Sequence, residues 1–578
     1  MTMQHPALEA GRRRRFAPNL WDALAFGLLF GALILIVHGG QGTLVPLTAL
    51  NQTPVSLDPA QLPEYALRTT LRMLAAILAS LVFTFLYGAL AAKSRRAEMV
   101  LIPMLDILQS VPVLGFLSFT VVGFMSLFPG RVLGVELAAI FAIFTSQAWN
   151  MTFSFYQSLK TVPRDLDEAT RSFRLTGWQR FWRLEVPFSM PGLVWNTMMS
   201  MSGGWFFVVA SEAISVGDTT ITLPGVGAYV ALAIKEQNLP AVGWAVLAML
   251  AVILIYDQLL FRPLVAWADK FRVETSASGT VPSSWLLSAA RRTRLFQRLL
   301  RPLGALLSAV PRQRLALQVT VPADARSALS SPLSDKVWLA LVLAVTAYCL
   351  WTIVTFVATE LTLPEVAQAF GLGVLTMLRV IVLIALATLI WVPIGVWIGL
   401  RPAWAERVQP LAQFLAAFPA NIIFPFAVVA IVRLGLDPDI WLSPLMVLGT
   451  QWYILFNVVA GASAFPNDLR EAAGTFRIRG WSWWKKVMLP GIFPYYVTGA
   501  ITASGGSWNA SIVAEVASWG DTTLRAHGIG AYIADATAAG DYPRIVLGIA
   551  VMSIFVILFN RLLWRPLYVF AGRRLRLD

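Results

Sequence analysis

PRDLDEATRSFRLTGWQRFWRLEVPFSMP, residues 163–191, and PNDLREAAGTFRIRGWSWWKKVMLPGIFP, residues 466–494, are one pattern written twice. Laid over each other without a gap they match at Pro163/Pro466, Glu168/Glu471, Gly177/Gly480, Trp178/Trp481, Pro187/Pro490 and Pro191/Pro494, a constant offset of 303. Each copy is a charged, amphipathic island between long apolar runs, and such an island cannot lie in hydrocarbon. Pro163 suits the first turn of a helix, with Asp165, Asp167 and Glu168 at the positive end of its dipole and Arg171 and Arg174 toward the other end. Gly177 and Gly480 are expected to stop that helix. A second short helix carrying Trp178, Phe181 and Trp182 then runs to Pro187, so each island reads as a helix, turn, helix elbow.

The flanking apolar runs set the class. The 578 residues are 57% hydrophobic and 13% charged, with 22 Trp and 34 Phe, far from the composition of a soluble protein. Twelve stretches come near the 20 residues that cross a bilayer, among them Met99–Phe124 and Val408–Ile431. The expected fold is therefore an all-α integral membrane protein with about 12 transmembrane helices in two parallel six-helix repeats. A net charge of +14 would suit a nucleic-acid ligand, but its placement argues otherwise. With the N-terminus in the cytoplasm, the inside segments hold 37 of the 45 Lys and Arg, so the basic balance orients the chain and both elbows and both termini face the cytoplasm. The single Cys349 rules out an internal disulfide. Arg12–Arg15 before an apolar run has no convincing cleavage site after it, and the first span is expected to be retained.

The duplication extends beyond the elbows. Arg72/Arg379, Gly88/Gly395, Pro103/Pro410 and Pro112/Pro419 align at an offset of 307, and Trp205/Trp508, Glu212/Glu515, Gly217/Gly520, Gly227/Gly530, Tyr229/Tyr532 and the Arg-Pro pairs at 262 and 565 at 303. The chain divides into a basic tail (1–20), a first repeat (21–265, elbow 163–190), a basic linker (266–336), a second repeat (337–568, elbow 466–493) and a basic C-terminal tail (569–578). In the linker, Trp285–Leu307 has leucines at helical spacing between arginines and reads as a helix on the membrane surface, the alternative being a charged tether.

The elbows resemble the E-A-A loop of the membrane-spanning subunits of bacterial ABC importers. Glu471, Ala472 and Ala473 with Leu489-Pro490, and Glu168, Ala169 and Pro187, stand at that spacing. Two departures are Thr170 in place of the second Ala, and Arg174 and Arg477 at the family's glycine position, with Gly177 and Gly480 three residues later. The nitrate, sulfonate, taurine and bicarbonate group is the most similar, on the L-R-x-L start of the second span, the Pro103/Pro112 spacing and an A-E then G-x-G-x-Y order ending at Tyr229 and Tyr532. The resemblance implies a type I importer permease fold with two permease domains fused, in the bacterial inner membrane. It implies two separate ATPase subunits that hold ATP and Mg and grip Glu168, Ala169, Gly177, Glu471, Ala472, Ala473 and Gly480. It also implies a periplasmic solute-binding protein as a candidate partner, and a small anionic solute. Membrane lipid is a further partner. The chain itself has no G-x-x-x-x-G-K-[ST] loop and no His/Cys/Asp cluster at metal spacing, so no enzyme activity, cofactor or metal is expected in it.

Polar or aromatic side chains inside spans face a path or a partner helix. Gln147, Asn150, Trp205, Gln451, Asn457, Trp508 and Asn509 are the path candidates, each of which could equally bond helix to helix. Arg72 and Arg379 are expected to pair with Glu212 and Glu515 rather than to hold a solute. Gly203-Gly204 and Gly505-Gly506 read as close helix packing or a gate. The competing class is a secondary transporter of the major facilitator type, which also has twelve spans in parallel halves. Its G-x-x-x-D-R-x-G-R-R-like loop has no counterpart at Lys93–Glu98, and it lacks structured elbows.

Overall fold

A computed structural model describes residues 19–41, 43, 45–48, 54–109, 111–115, 117–216, 219–271, 284–293, 295–309, 313 and 332–575. Most of the basic tail, the Gly217-Asp218 turn, much of the linker and residues 576–578 lie outside them. The first repeat runs α1 (Leu20–Gln41), α2 (Leu62–Lys93), α3 (Arg95–Leu108), α4 (Leu117–Leu127), α5 (Val132–Lys160), α6 (Arg164–Ser172), α7 (Gly177–Arg180) and α8 (Val186–Ser211). It continues through β1 (Ala213–Val216), β2 (Thr219–Thr222), α9 (Val226–Lys235), α10 (Leu239–Tyr256) and α11 (Arg262–Ala268). In the linker stand α12 (Trp285–Arg292) and α13 (Leu295–Ala309). The second repeat follows as α14 (Pro332–Glu360), α15 (Leu363–Gly399), α16 (Pro402–Ala417), α17 (Phe424–Leu434), α18 (Pro438–Trp441), α19 (Leu445–Leu448) and α20 (Gln451–Ser463). It ends with α21 (Asn467–Thr475), α22 (Gly480–Trp483), α23 (Leu489–Ala514), β3 (Val516–Trp519), β4 (Thr522–Arg525), α24 (Ile529–Ala539), α25 (Tyr542–Phe559) and α26 (Arg565–Arg574).

The offset of 303 holds to the residue in α8/α23 and in both hairpins. It also holds in four wide π turns, Phe181–Glu185/Trp484–Met488 and Asp257–Phe261/Asn560–Trp564. Each π turn is followed two residues later by a proline: Pro187, Pro263, Pro490 or Pro566. A proline ring clashes with the carbonyl four residues back and donates no N–H to it, and widening that turn relieves the clash without breaking the helix. The repeated Arg-Pro pairs mark the turns at Asp257–Phe261 and Asn560–Trp564, and Val186 and Leu489 precede the other two prolines.

Among the described residues, seven helices are long and apolar enough to cross a membrane, and two bent pairs, Pro402–Ala417 with Ala420–Leu434 and Pro438–Leu448 with Gln451–Ser463, bring the number to nine. The expected twelve continuous spans are thus not seen as such. Met99–Phe124 is broken between α3 and α4, and Val408–Ile431 between α16 and α17. The breaks fall at Pro112 and Pro419, because a residue before proline is driven from helical to extended backbone; Phe418 has φ −71° and ψ 129°. α8 and α23 fall outside the apolar count through their Ser, Thr, Asn and Gly content, yet at 26 residues each is about 39 Å long. These two polar helices stand at the centre.

The linker segment expected as one helix is two. Thr293 takes extended backbone, and its hydroxyl donates to the Ala290 carbonyl at 2.7 Å, competing with helix continuation. α12 packs on the start of α1, where Asn19 Nδ2 donates to the Arg292 carbonyl at 2.8 Å and the Arg292 guanidinium lies 5.3 Å above the Trp21 ring.

Candidate functional site

The elbows join α5 to α8 and α20 to α23, so each hangs from one of the two central helices. α6 and α21 end at Ser172 and Thr475, not at the glycines. The stop is a Schellman motif in both copies. The Arg174 N–H donates to the Arg171 carbonyl at 2.9 Å and the Leu175 N–H to Thr170 at 3.1 Å; the Arg477 N–H donates to Gly474 at 3.0 Å and the Ile478 N–H to Ala473 at 2.9 Å. Arg174 and Arg477 take left-handed backbone, φ +50° and +51°, so they hold the geometry that a glycine would favour at this position. The expectation that Gly177 and Gly480 terminate the first helix is corrected: they open the second one, the former behind a Thr176–Gln179 capping box. A left-handed L-residue costs roughly 1–2 kcal/mol. Arg174→Gly and Arg477→Gly are therefore expected to raise thermal stability, each by about 1 kcal/mol or less after the entropy of the added glycine, while Arg174→Val lowers it, as melting curves in detergent would record.

Glu168, Ala169, Gly177, Glu471, Ala472 and Gly480 are exposed, and Ala473 is buried. Beside them, sequence reasoning missed Phe173 and Phe476, 78% and 77% exposed at the same place in each copy. The copies are fastened differently. In the first, Asp167 pairs with Arg180 at 2.7 Å, Arg180 with Glu185 at 3.1 Å, and Glu185 with Lys93 at 3.0 Å. In the second the counterparts of Arg180 and Glu185 are Trp483 and Met488, the latter fully buried, and apolar packing replaces the ion pairs. At the same end, Lys160 lies 2.7 Å from Glu98, whose other oxygen accepts from the Tyr156 hydroxyl. The Lys160 and Tyr156 hydrogen bonds hold the Glu98 carboxyl below its ordinary value.

Between the repeats lies a cavity of about 430 Å³. Its walls come from α5, α8, α20, α23 and the π turn Asn560–Trp564, and no Lys, Arg, His, Asp or Glu is among the described residues that line it. Of the path candidates, Asn150, Asn457, Trp508 and Asn509 line it. The other three do not. Gln147 donates to Met73 Sδ at 3.0 Å, Trp205 packs edge-on against Tyr256, and Gln451 accepts from Trp391 Nε1 at 2.8 Å. A Cβ on Gly204 or Gly506 would come within 2.5 Å of Gln147 or Thr450, and Gly203, Gly505 and Gly506 border the cavity. The broken spans reach across it. The Val113 N–H donates to Asn509 Oδ1 at 2.8 Å, and Asn421 Nδ2 donates to the Phe206 carbonyl at 3.3 Å, a near-symmetric exchange between the repeats.

Toward the end opposite the elbows, each repeat holds a charge knot. Arg72 meets Glu212 at 2.6 Å as the sequence suggested, and it also grips Glu136 with two hydrogen bonds, Nε to Oε2 at 2.6 Å and Nη2 to Oε1 at 2.7 Å. Thr69 donates to Glu212 at 2.7 Å, as does the Gly227 N–H. Arg379 repeats the pattern with Asp439 at 2.9 Å and Glu515 at 3.3 Å, and Thr376 donates to Glu515 at 2.8 Å. Glu136 and Asp439 were missed, although they stand at the same 303 offset. The G-x-G motif is explained here: a Cβ on Gly225 or Gly528 would fall 2.3 or 2.2 Å from the Glu212 or Glu515 carboxylate.

Beyond the knots, antiparallel hairpins β1-β2 and β3-β4 cross between the repeats. β1 packs on α24 of the second repeat. In return, the Gly520 N–H at the tip of the other hairpin donates to the Ile234 carbonyl of α9 at 2.9 Å.

A duplicated helical bundle with exposed elbows, a neutral central cavity and crossed hairpins defines a membrane permease of two repeats. The chain belongs to the family of binding-protein-dependent transport system inner membrane components, whose profile matches residues 84–262 and 391–573, more than half of the chain. Among relatives, the bicarbonate transport system permease protein CmpB of Synechococcus elongatus is 29% identical over 178 residues, 31% of this chain and 60% of that one. The nitrate import permease protein NrtB of Leptolyngbya laminosa is 27% identical over 184 residues, 32% of this chain and 62% of that one. The glycine betaine/proline betaine transport system permease protein ProW of Escherichia coli is 29% identical over 190 residues, 33% and 50%. The chain thus aligns with about 60% of the length of the first two. These matches support the ABC permease reading, and none favours a major facilitator.

Proposed function

We propose that this chain forms the membrane path of an ATP-driven importer for a small anionic solute, with twelve spans counted by joining α3 with α4 and adding α8 and α23 to the nine apolar ones. Both termini and both elbows lie in the cytoplasm of a bacterial inner membrane, and the crossed hairpins face the periplasm, where a solute-binding protein docks. ATP and Mg are held by two separate ATPase subunits. Each seats one elbow, with Glu168 or Glu471 and the neighbouring exposed Phe173 or Phe476 as the contacts; α8 and α23, rooted in those elbows, carry the movement to the cavity. The first relatives, by their names permeases for bicarbonate and nitrate, support an anion as cargo. The linker helices α12 and α13 lie on the inner leaflet.

The observation that carries this reading is the pair of exposed elbows attached directly to the two helices that line the cavity. Co-expression with its partner ATPase subunits should give a complex that survives purification. Glu168→Lys together with Glu471→Lys is expected to cut the retained ATPase at least tenfold, or to leave its ATP turnover unlinked from transport. Full retention with unaltered transport in that double variant would remove the elbows from the mechanism.

A further inference from the structure

The last helix carries a positive groove that the transport reading leaves unused. Arg561, Arg565, Arg573 and Arg574, with Pro566, Val569 and Phe570, line an open groove of about 450 Å³ along the π turn Asn560–Trp564 and α26. All four arginines are exposed, and none has an ion pair or side-chain hydrogen bond among the described residues. Like charges stacked along one helix face repel, so the stripe weakens its own helix unless an anion lies over it.

The first repeat does not build this groove. At the offset of 303 its counterparts are Gln258, Arg262, Lys270 and Phe271. Arg262 is held by Asp257 at 2.9 Å, and Lys270 lies 4.7 Å from the centre of the Trp267 ring and 4.6 Å from that of Phe271. In the second repeat Asn560 stands in place of that acid. The unpaired arginines are therefore not a by-product of the duplicated fold.

Their depth in the membrane selects the anion. α25, the π turn and α26 run on as one long helix, Tyr542–Arg574. Near its start Arg544 pairs with Glu365 at 2.8 Å and with Asp541 at 2.6 Å, charges that mark one edge of the hydrocarbon. Arg561 and Arg565 follow about 25 and 30 Å along the axis, where the hydrocarbon of a bilayer ends. This is the elbow end, since Phe570 meets Phe493 edge-on at 6.1 Å. Leu558, Leu562 and Val569 beside the arginines are exposed and apolar, a surface from which a fully soluble anion would gain nothing.

We propose that this groove binds an anionic phospholipid of the inner leaflet, its phosphate between Arg561 and Arg565 and its acyl chains along Leu558 and Leu562. Arg573 and Arg574 raise the positive potential at the mouth. The leaflet rests on the orientation given under the proposed function; the binding itself needs neither ATPase nor solute. Because Phe570 leans on the root of the second elbow, and Asn560 and Trp564 of the same turn border the cavity, a lipid held here steadies that wall from outside.

The test is native mass spectrometry of the full chain released from detergent micelles that contain phosphatidylglycerol or, in equal amount, phosphatidylcholine. The unaltered chain is expected to retain phosphatidylglycerol preferentially. Arg561→Gln with Arg565→Gln should raise the half-saturating phosphatidylglycerol concentration by about tenfold or more, and Lys485→Gln with Lys486→Gln, which removes the same charge from the same end of the same repeat, by less than about twofold. All four substituted side chains are exposed, so both variants fold. No change in the arginine variant, or an equal change in the two, would overturn the site. Inorganic phosphate at constant ionic strength is expected not to displace the lipid; displacement would assign the groove to free phosphate and overturn the lipid. Capture of the ATPase is measured separately, so loss of one reading leaves the other standing.

Discussion

Replacing Arg72 by Met is expected to destabilise the protein by about 3–5 kcal/mol, the range for removing one partner of a buried ion pair. Arg72 is 3% exposed, and its loss strands Glu136 and Glu212, which are 4% and 0% exposed. Glu212 would retain Thr69 and the Gly227 N–H, but Glu136 would lose both hydrogen bonds of its only ion-pair partner among the described residues. Arg379→Met should be milder, about 2 kcal/mol, because its Asp439 is 37% exposed and keeps His527 at 2.9 Å. Arg72→Lys is expected to fall near Arg72→Met, since an ammonium cannot reproduce the two-pronged grip on Glu136. Removing all three charges, as Arg72→Met with Glu136→Gln and Glu212→Gln, should recover part of the loss. Unfolding monitored in detergent reads the series; equal sensitivity at Arg72 and Arg379 would contradict the difference in burial.

The second large effect is expected at Gly227. A Cβ built there falls 2.1 Å from the Val209 carbonyl oxygen and 2.9 Å from the Val209 Cα, both backbone atoms of α8 that have no rotamer to yield. Gly227→Ala must therefore push α9 off α8 and pull the Glu212 carboxylate from the Gly227 N–H. The cost is placed at about 3 kcal/mol, the top of the usual overpacking range, or beyond. Gly530→Ala in the second repeat meets the Ser511 carbonyl at 2.5 Å and should be somewhat less severe. Gly243→Ala, with nothing within 4 Å inside α10, is the control and should be neutral or slightly stabilising. The share of monodisperse protein after extraction and the melting temperature of each variant would rank them; a Gly227→Ala protein as stable as Gly243→Ala would show that the G-x-G contact can relax.

What the sequence made legible was whatever repeats or pairs by charge. The elbows, the two-fold duplication and Arg72 with Glu212 were all readable from a fixed offset, and Glu136 and Asp439 were within reach of the same comparison. Three kinds of feature were not. The interruptions at Pro112 and Pro419 hide inside apolar runs, because hydropathy counts residues and is blind to a backbone turned by a following proline. The turn at Arg174 and Arg477 was misplaced by three residues, since a glycine nearby is the stronger local signal and an arginine in left-handed backbone leaves none. The cavity was half legible: a polar residue in a span must face something, but whether Gln147 meets Met73 or Asn150 faces open space depends on which way a helix is rotated, and uncharged spans fix that poorly.

The crossed hairpins have a mechanical consequence. Since each half leans its strand pair on its neighbour's short helix, neither can swing aside alone; prising one loose tugs its twin. Displacement of either strand pair is therefore expected to carry the other with it.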